Sequence, residues 1–516
     1  MAESCISNYE AFSCIHYLTF GGRKYCIRIG FFDIASAPGC ACCYGLPLFG
    51  YNKDLIFGAR HLIVAIFLRF HTSNKQQLYL CAMEEKPVKI SVITLGCSKN
   101  TVDSERLIAQ LKHQNLDVVH DDYDGSADKV IINTCGFIGD AKEESINTIL
   151  SFLEEKRKGH VRDVIVMGCL SERYKEDLLQ ELPEVSAIYG SDEIPNIVSD
   201  LQLRYQDHLY GERETTTPPH YAYLKISEGC NRTCAFCAIP LMRGRHQSLS
   251  IESLVGEAKH LASRGVKELI LIAQELTYYG IDLYKKRALP ELLEALSGVP
   301  GIEWIRLHYA YPSKFPMEIL EVMARSPKIC QYLDIPFQHA SDRVLHLMKR
   351  NTTSEDMLRV IQRARELMPD ISIRTTMLVG FPGETEADFD ILKAFVREHR
   401  FDRLGVFQYS HEEDTVAYEM VDDVPPKVKE RRANELMELQ APISHEKNIA
   451  KIGRTFRVLI DAETETHYIG RTEGDSPEID NEVLVSKDKK LNIGAFYDVE
   501  ITNAEVFELV GRVGAL

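Results

Sequence analysis

The sequence predicts a multidomain α/β protein in three parts: an N-terminal α/β domain with a parallel sheet, a central open partial (β/α)6 barrel, and a small antiparallel β-barrel. Three observations predict it. Apolar runs alternate with amphipathic stretches from Met83 onward, six further strand-like runs recur between 221 and 410, and after a break at Pro425 and Pro426 a charged helical stretch at 427–453 gives way to short strands with turn residues. The expected boundaries are 83–205, 216–445 and 446–516. A length of 516 residues accommodates this division, and 45% apolar with 26% charged residues is a globular balance. No stretch approaches the apolar length of a spanning helix; LIVAIFL at 62–68 is far too short.

Residues 1–82 read differently. They hold seven of the fourteen cysteines, carry a net charge of +3 against −19 for the remainder, and show no sustained periodicity. We expect them to be a non-native or disordered extension, with translation starting at Met83. The beginning, MAESCISNYE, has no basic region leading into an apolar run, so no export signal is expected there.

In the first domain, KISVITLGC ends at Cys97, KVIINTCGF places Cys135 just after its run, and DVIVMGC ends at Cys169. The separations of 38 and 34 residues fit one strand plus one crossover helix each. Parallel strands share a carboxyl edge, and ligands bind at that edge, so three cysteines distant in sequence should converge there. Gathered thiolates suit a soft metal or an iron-sulfur cluster, whereas three unrelated core thiols would have no reason to occupy equivalent places.

The second domain opens with YAYLKIS and then EGCNRTCAFCAIPLMRGR, in which Cys230, Cys234 and Cys237 have C-x3-C-x2-C spacing. Three thiolates of one short loop can hold a cluster while leaving one iron open to a ligand. A zinc site completed by His246 is the alternative. The later strands are expected at ELILIAQ, WIRLHYA, YLDIPFQ, SIRTTMLVG and RLGVFQYS. Between the first two, IESLVGEAKHLASRG is a helix capped by Ser250 and ended by Gly265. Six βα units are fewer than a closed barrel's eight, so the barrel should be open, with its site at the carboxyl ends of the strands. Gln274 and His339 lie past strands at that face, and we read His339 as structural. The glycine-rich turn GFPGE, with Gly380, Gly383 and Glu384, would let backbone approach an adenosine-like ligand. Cys330 is expected to be a core thiol.

The C-terminal strands are TFRVLIDAE, HYIGRTEG, NEVLVSKD, AFYDVEITNAE and FELVGRV. Small barrels often bind nucleic acid, but residues 453–516 carry seven basic and thirteen acidic side chains, which favours a basic partner surface.

Together these motifs resemble the radical S-adenosylmethionine methylthiotransferases over essentially all of 83–516. LGCSKNTVDSE at 95–105, INTCGFIGDAKEESI at 132–146 and EGCNRTCAFCAIPLMRGRHQS at 228–248 look most like the RimO branch. The resemblance implies a methylthiotransferase domain, a radical S-adenosylmethionine barrel and a TRAM barrel. It implies two 4Fe-4S clusters, an auxiliary one on Cys97, Cys135 and Cys169 and one on Cys230, Cys234 and Cys237 whose open iron binds S-adenosylmethionine. Phe236, Gln274, Gly380, Gly383 and Glu384 would be cofactor contacts, with no catalytic side chains beyond the cluster ligands. The implied reaction, in the cytoplasm, is methylthiolation of the β-carbon of an aspartate in the basic twelfth protein of the small ribosomal subunit, free or within the subunit. A low-potential donor such as flavodoxin or ferredoxin would supply electrons. A tRNA adenosine methylthiotransferase of the MiaB or MtaB type is the sibling reading, and a non-enzymatic metal-stabilised RNA-binding module is a reading from another class.

Overall fold

The computed structural model describes residues 88–514, together with the backbone of two strands nearer the start, Cys14–Phe20 and Arg23–Ile29. The chain divides into two compact units, Met1–Lys86 and Pro87–Leu516. In the first, the two strands pair antiparallel, where the sequence shows no sustained periodicity. The expectation for the rest of 1–82 lies outside the described residues.

The second unit begins with a five-stranded parallel sheet. Strand Lys89–Thr94 lies between Asp117–His120 and Lys129–Thr134, followed by Asp163–Gly168 and the short Ala187–Ile188. The three cysteine-ending strands are therefore direct neighbours. Both faces are covered, which is why their apolar runs are continuous rather than alternating. Ile93, Ile132 and Val166 pack under Ile149, Phe152 and Leu153 of helix Gly139–Arg157. Val92, Ile131 and Met167 pack under Leu107, Ile108 and Leu111 of helix Ser98–His113. The edge strands Asp117–His120 and Ala187–Ile188 were not anticipated, being short and flanked by polar residues.

The central sheet has six parallel strands in spatial order Tyr221–Lys225, Glu268–Ile272, Trp304–Leu307, Ile329–Asp334, Ser372–Val379 and Arg403–Gln408. Consecutive strands are adjacent and the two outer ones remain unjoined, as expected of an open partial barrel. Ser250 caps its helix by accepting the Ser253 amide at 3.2 Å, and Gly265 follows the helix end at φ +100°. Cys330 is buried with Trp304, Tyr332 and Leu459, a core thiol as expected.

Helix Pro426–Ile449 carries Pro442 in its interior yet runs on through the boundary expected at 445/446, and the last barrel starts at Thr455. That barrel closes in the order Thr455–Glu463, His467–Thr472, Glu482–Ser486, Glu508–Val513, Phe496–Ala504. One pairing, Glu482–Ser486 with Glu508–Val513, is parallel and corrects the purely antiparallel expectation. Parity requires it: five strands in a closed ring cannot all alternate in direction.

Part of the acidic character of this barrel is spent inward. Asp461 bonds His220 at 2.8 Å, Asp480 accepts from the Tyr332 hydroxyl at 2.7 Å, Glu478 accepts from Tyr221 at 3.0 Å, and Asp475 pairs with Arg403. Arg403 and Tyr221 are the first residues of their strands, so the barrel is anchored at the amino edge of the central sheet, opposite the cysteine loops. A net charge of −6 thus overstates the outward acidity on which the sequence argument for a basic partner relied.

Candidate metal centres

Each cysteine of the first triplet sits where its strand ends. Cys97 is the cap residue of helix Ser98–His113, Cys135 follows Thr134 directly, and Cys169 begins helix Cys169–Arg173. Adjacent strands lie about 5 Å apart, so the topology brings the three thiols to one edge. Two glycines let the loops close. Gly96, at φ +90°, faces Cys135 so tightly that a Cβ there would stand 2.6 Å from the Cys135 Cβ; at Gly168, φ +105°, a Cβ would meet the Asn133 side chain at 2.4 Å. Asn100 ties two loops together, donating to Leu95 O at 2.8 Å and Thr134 O at 3.0 Å. Ser145 holds the Cys135 backbone at both its amide and its carbonyl.

In the second triplet, Cys230 is buried and Cys234 and Cys237 are partly exposed. The Cys230 sulfur accepts the Arg232 amide at 3.4 Å. Cys234 lies 3.4 Å from the Tyr311 hydroxyl and accepts from Arg350 at 3.5 Å. Arg232 stacks between Tyr278 and Tyr311 while pairing with Glu275 at 3.0 Å. The loops of the two triplets meet. Ala238 and Met242 pack on Cys169, and Arg243 donates from Nε to the Cys169 sulfur at 3.2 Å. The loop after the sixth strand also reaches the first domain, where buried Glu412 accepts from Lys142 at 2.8 Å and Arg173 at 3.0 Å.

Burial pushes the thiols of Cys169 and Cys230 up to about 11 and that of Cys237 up to about 12. Metal binding must therefore displace protons. The donor sets fit iron-sulfur clusters: thiols alone, with a guanidinium donating to a sulfur in each triplet, matching the negative charge of a thiolate-held cluster. Among the described residues no three Cys, His, Asp or Glu side chains are drawn together as ligands of one ion would be, so the fit rests on the kind of donor and the edge the thiols share. His246, the alternative fourth ligand, is turned to Ser248 at 3.1 Å and lies 3.8 Å from Asp282.

The other expected contacts divide. Phe236 packs edge-on against Phe381, so the cysteine loop and the GFPGE turn do meet. Gln274 donates to Glu228, and its buried Oε1 has no protein partner, nor does Ser227 Oγ; both suit a bound ligand. Gly380 makes room for the Lys429 stem rather than for an open surface. The Gly383 amide is taken by Asp423 at 2.7 Å. Glu384 is buried, accepting the Phe381 amide at 3.1 Å and pairing with Arg432 at 3.2 Å, so it braces its own turn. His339 is fully buried and accepts the Ser341 amide at 2.9 Å, while its Nε2 has no hydrogen-bond partner and lies 3.8 Å from Glu384. Sequence reasoning missed Arg243, Arg350, Tyr311 and Asn100. Arg243 and Asn100 stand inside quoted motifs, but their partners are remote in sequence.

Three segments match known families: residues 89–190 the uncharacterized protein family UPF0004, 224–396 the radical SAM superfamily, and 452–513 the TRAM domain. Among relatives, the ribosomal protein uS12 methylthiotransferase RimO of Christiangramia forsetii is 58% identical over 83% of this chain and 94% of its own length. Its namesakes in Flavobacterium psychrophilum and Bacteroides thetaiotaomicron are 57% and 52% identical, each over 83% of this chain and 98% and 99% of theirs. Solved structures are more distant. The radical S-adenosylmethionine methyltransferase TsrM of Kitasatospora setae, with cobalamin and a 4Fe-4S cluster bound, is 14% identical with a TM-score of 0.46, covering 63% of this chain and 75% of that one. Sharing more than half of its aligned residues with relatives that it spans almost end to end, the chain belongs to the RimO family of radical S-adenosylmethionine methylthiotransferases.

Proposed function

We propose that this enzyme attaches a methylthio group to the β-carbon of an aspartate in ribosomal protein uS12. The observation that carries the reading is the continuous identity of 50–58% to RimO relatives across all three domains. Two 4Fe-4S clusters and S-adenosylmethionine are its cofactors. When bound, they supply a radical able to take hydrogen from an unactivated carbon, which no side-chain base could deprotonate, together with a carried sulfur.

In our reading Cys97, Cys135 and Cys169 hold the auxiliary cluster, and Cys230, Cys234 and Cys237 hold the cluster that binds S-adenosylmethionine. Tyr311 and Arg350 orient Cys234. Gln274 and Ser227 offer unpaired polar atoms to the ligand, Phe236 packs beside it, and Gly380, Gly383 and Glu384 shape the neighbouring turn. The three domains follow the order of the family-matched segments, 89–190, 224–396 and 452–513, and we take the last boundary after helix Pro426–Ile449 rather than at 445/446. We place the enzyme in the cytoplasm, served by a flavodoxin or ferredoxin. Among the described residues no helix is long and apolar enough to cross a membrane.

Iron analysis and S-adenosylmethionine cleavage test the reading. Anaerobically reconstituted protein should bind about eight irons per chain, two four-iron clusters, and form 5′-deoxyadenosine under reducing conditions. One metal per triplet and no cleavage would instead identify a metal-stabilised binding module.

A further inference from the structure

We infer that Arg243 is a positioning residue that sets the reduction potential of the auxiliary cluster, an inference that rests on the two-cluster reading above. Arg243 ends helix Ile239–Arg243, in the loop of the Cys230 triplet, yet its guanidinium serves the other triplet. Nε donates to the Cys169 sulfur at 3.2 Å, Nη1 donates to Asp103 Oδ2 at 2.6 Å and lies 3.4 Å from Glu228 Oε2, and Nη2 donates to Asn100 Oδ1. Asn100 in turn binds the carbonyls of Leu95 and Thr134, which lead into Cys97 and Cys135. One buried fork thus reaches all three ligand loops, directly at Cys169 and through Asn100 at the other two. A planar guanidinium with five donors can hold this many partners at once, and an ammonium cannot.

The charge has a definite sign of effect. A cation within hydrogen-bond distance of a ligand sulfur favours the more negative, reduced cluster and raises its potential. Around Arg243 the carboxylates of Asp103 and Glu228 are balanced by Arg243 and Lys225, which pairs with both. Removing the Arg243 charge leaves two carboxylates facing one cation beside Cys169, so both changes lower the potential. Removing the Asp103 charge acts in the opposite sense. The second triplet has its own cation, Arg350 at Cys234, and its cluster should be nearly indifferent to either change.

The test is a dithionite titration, one electron per cluster, of the anaerobically reconstituted full chain followed by electron paramagnetic resonance. Arg243→Met should shift the auxiliary midpoint to more negative values, Arg243→Lys should return it toward the wild-type value, and Asp103→Asn should shift it to more positive values. An unmoved midpoint in Arg243→Met at wild-type iron content overturns the inference. Should Arg243→Met fail to retain the cluster, Asp103→Asn decides: an upward shift supports the inference, and a downward or absent shift overturns it. Wild-type protein with iron for one cluster alone would overturn the two-cluster reading instead.

Discussion

Ala238, the residue after Cys237, packs against Cys169 in a small buried cluster completed by Met242. The last cysteine of one triplet is therefore one residue away from direct contact with a cysteine of the other. Replacing Ala238 with Leu forces extra volume into this contact, at a cost of roughly 1–3 kcal/mol. Iron content per chain should fall, and the urea midpoint with it. Ala238→Gly adds no volume and should keep its iron; equal iron in the Leu variant would mean that the loops do not need this contact.

Separate tasks for the two triplets predict separable losses. Cys135→Ala should halve the iron content, keep 5′-deoxyadenosine formation detectable, and abolish methylthio transfer. Normal transfer by this variant would remove Cys135 from the auxiliary site.

Gly96 gives a sharper steric test. Its φ of +90° is costly for a side-chain-bearing residue, about 1–2 kcal/mol, and an added Cβ would stand 2.9 Å from the Cys135 sulfur as well as against its Cβ. Gly96→Ala should lose the auxiliary cluster while retaining the other, as read by iron counting alongside S-adenosylmethionine cleavage.

Acid sensitivity should trace in part to Glu412. Burial pushes its pKa up, but the charges and hydrogen bonds of Lys142, Ser410 and Arg173 outweigh that and hold it below the ordinary 4.5. A carboxylate depressed on folding contributes stability that is complete above its unfolded pKa and is lost as pH falls through the folded one. Urea midpoints should therefore drop below about pH 4.5. Glu412→Gln should flatten that drop, at a lower plateau because the buried Arg173 loses its carboxylate partner and keeps only the Glu413 carbonyl, a loss on the order of 3 kcal/mol. An unchanged acid profile would show that this contact between the sixth-strand loop and the first domain contributes little.

What the sequence disclosed follows from how narrow each requirement is. Cysteines placed alike at successive strand ends are conspicuous, so the convergence of Cys97, Cys135 and Cys169 on one sheet edge, and of Cys230, Cys234 and Cys237 in one loop, could be read directly. The separations of 38 and 34 residues between Cys97, Cys135 and Cys169 announced a parallel sheet with crossover helices. The Arg243 network stayed hidden because Asp103 and Asn100 lie 140 and 143 residues away, and no local pattern marks such a pairing. Net charge likewise has no direction: Asp475 and Asp480 count as acid surface in the sequence but face Arg403 and Tyr332 in the fold. Glu384 was read as a cofactor contact from its glycine-rich setting, whereas its carboxylate is engaged by its own turn and Arg432.

The most direct test of the account is mass spectrometry of uS12 after incubation with the reconstituted enzyme, S-adenosylmethionine, sulfide and a reductant, with tRNA treated in parallel. The account predicts that one aspartate of uS12 gains a methylthio group in place of a β-hydrogen while the tRNA is unchanged. An unmodified uS12 beside methylthiolated tRNA would contradict it.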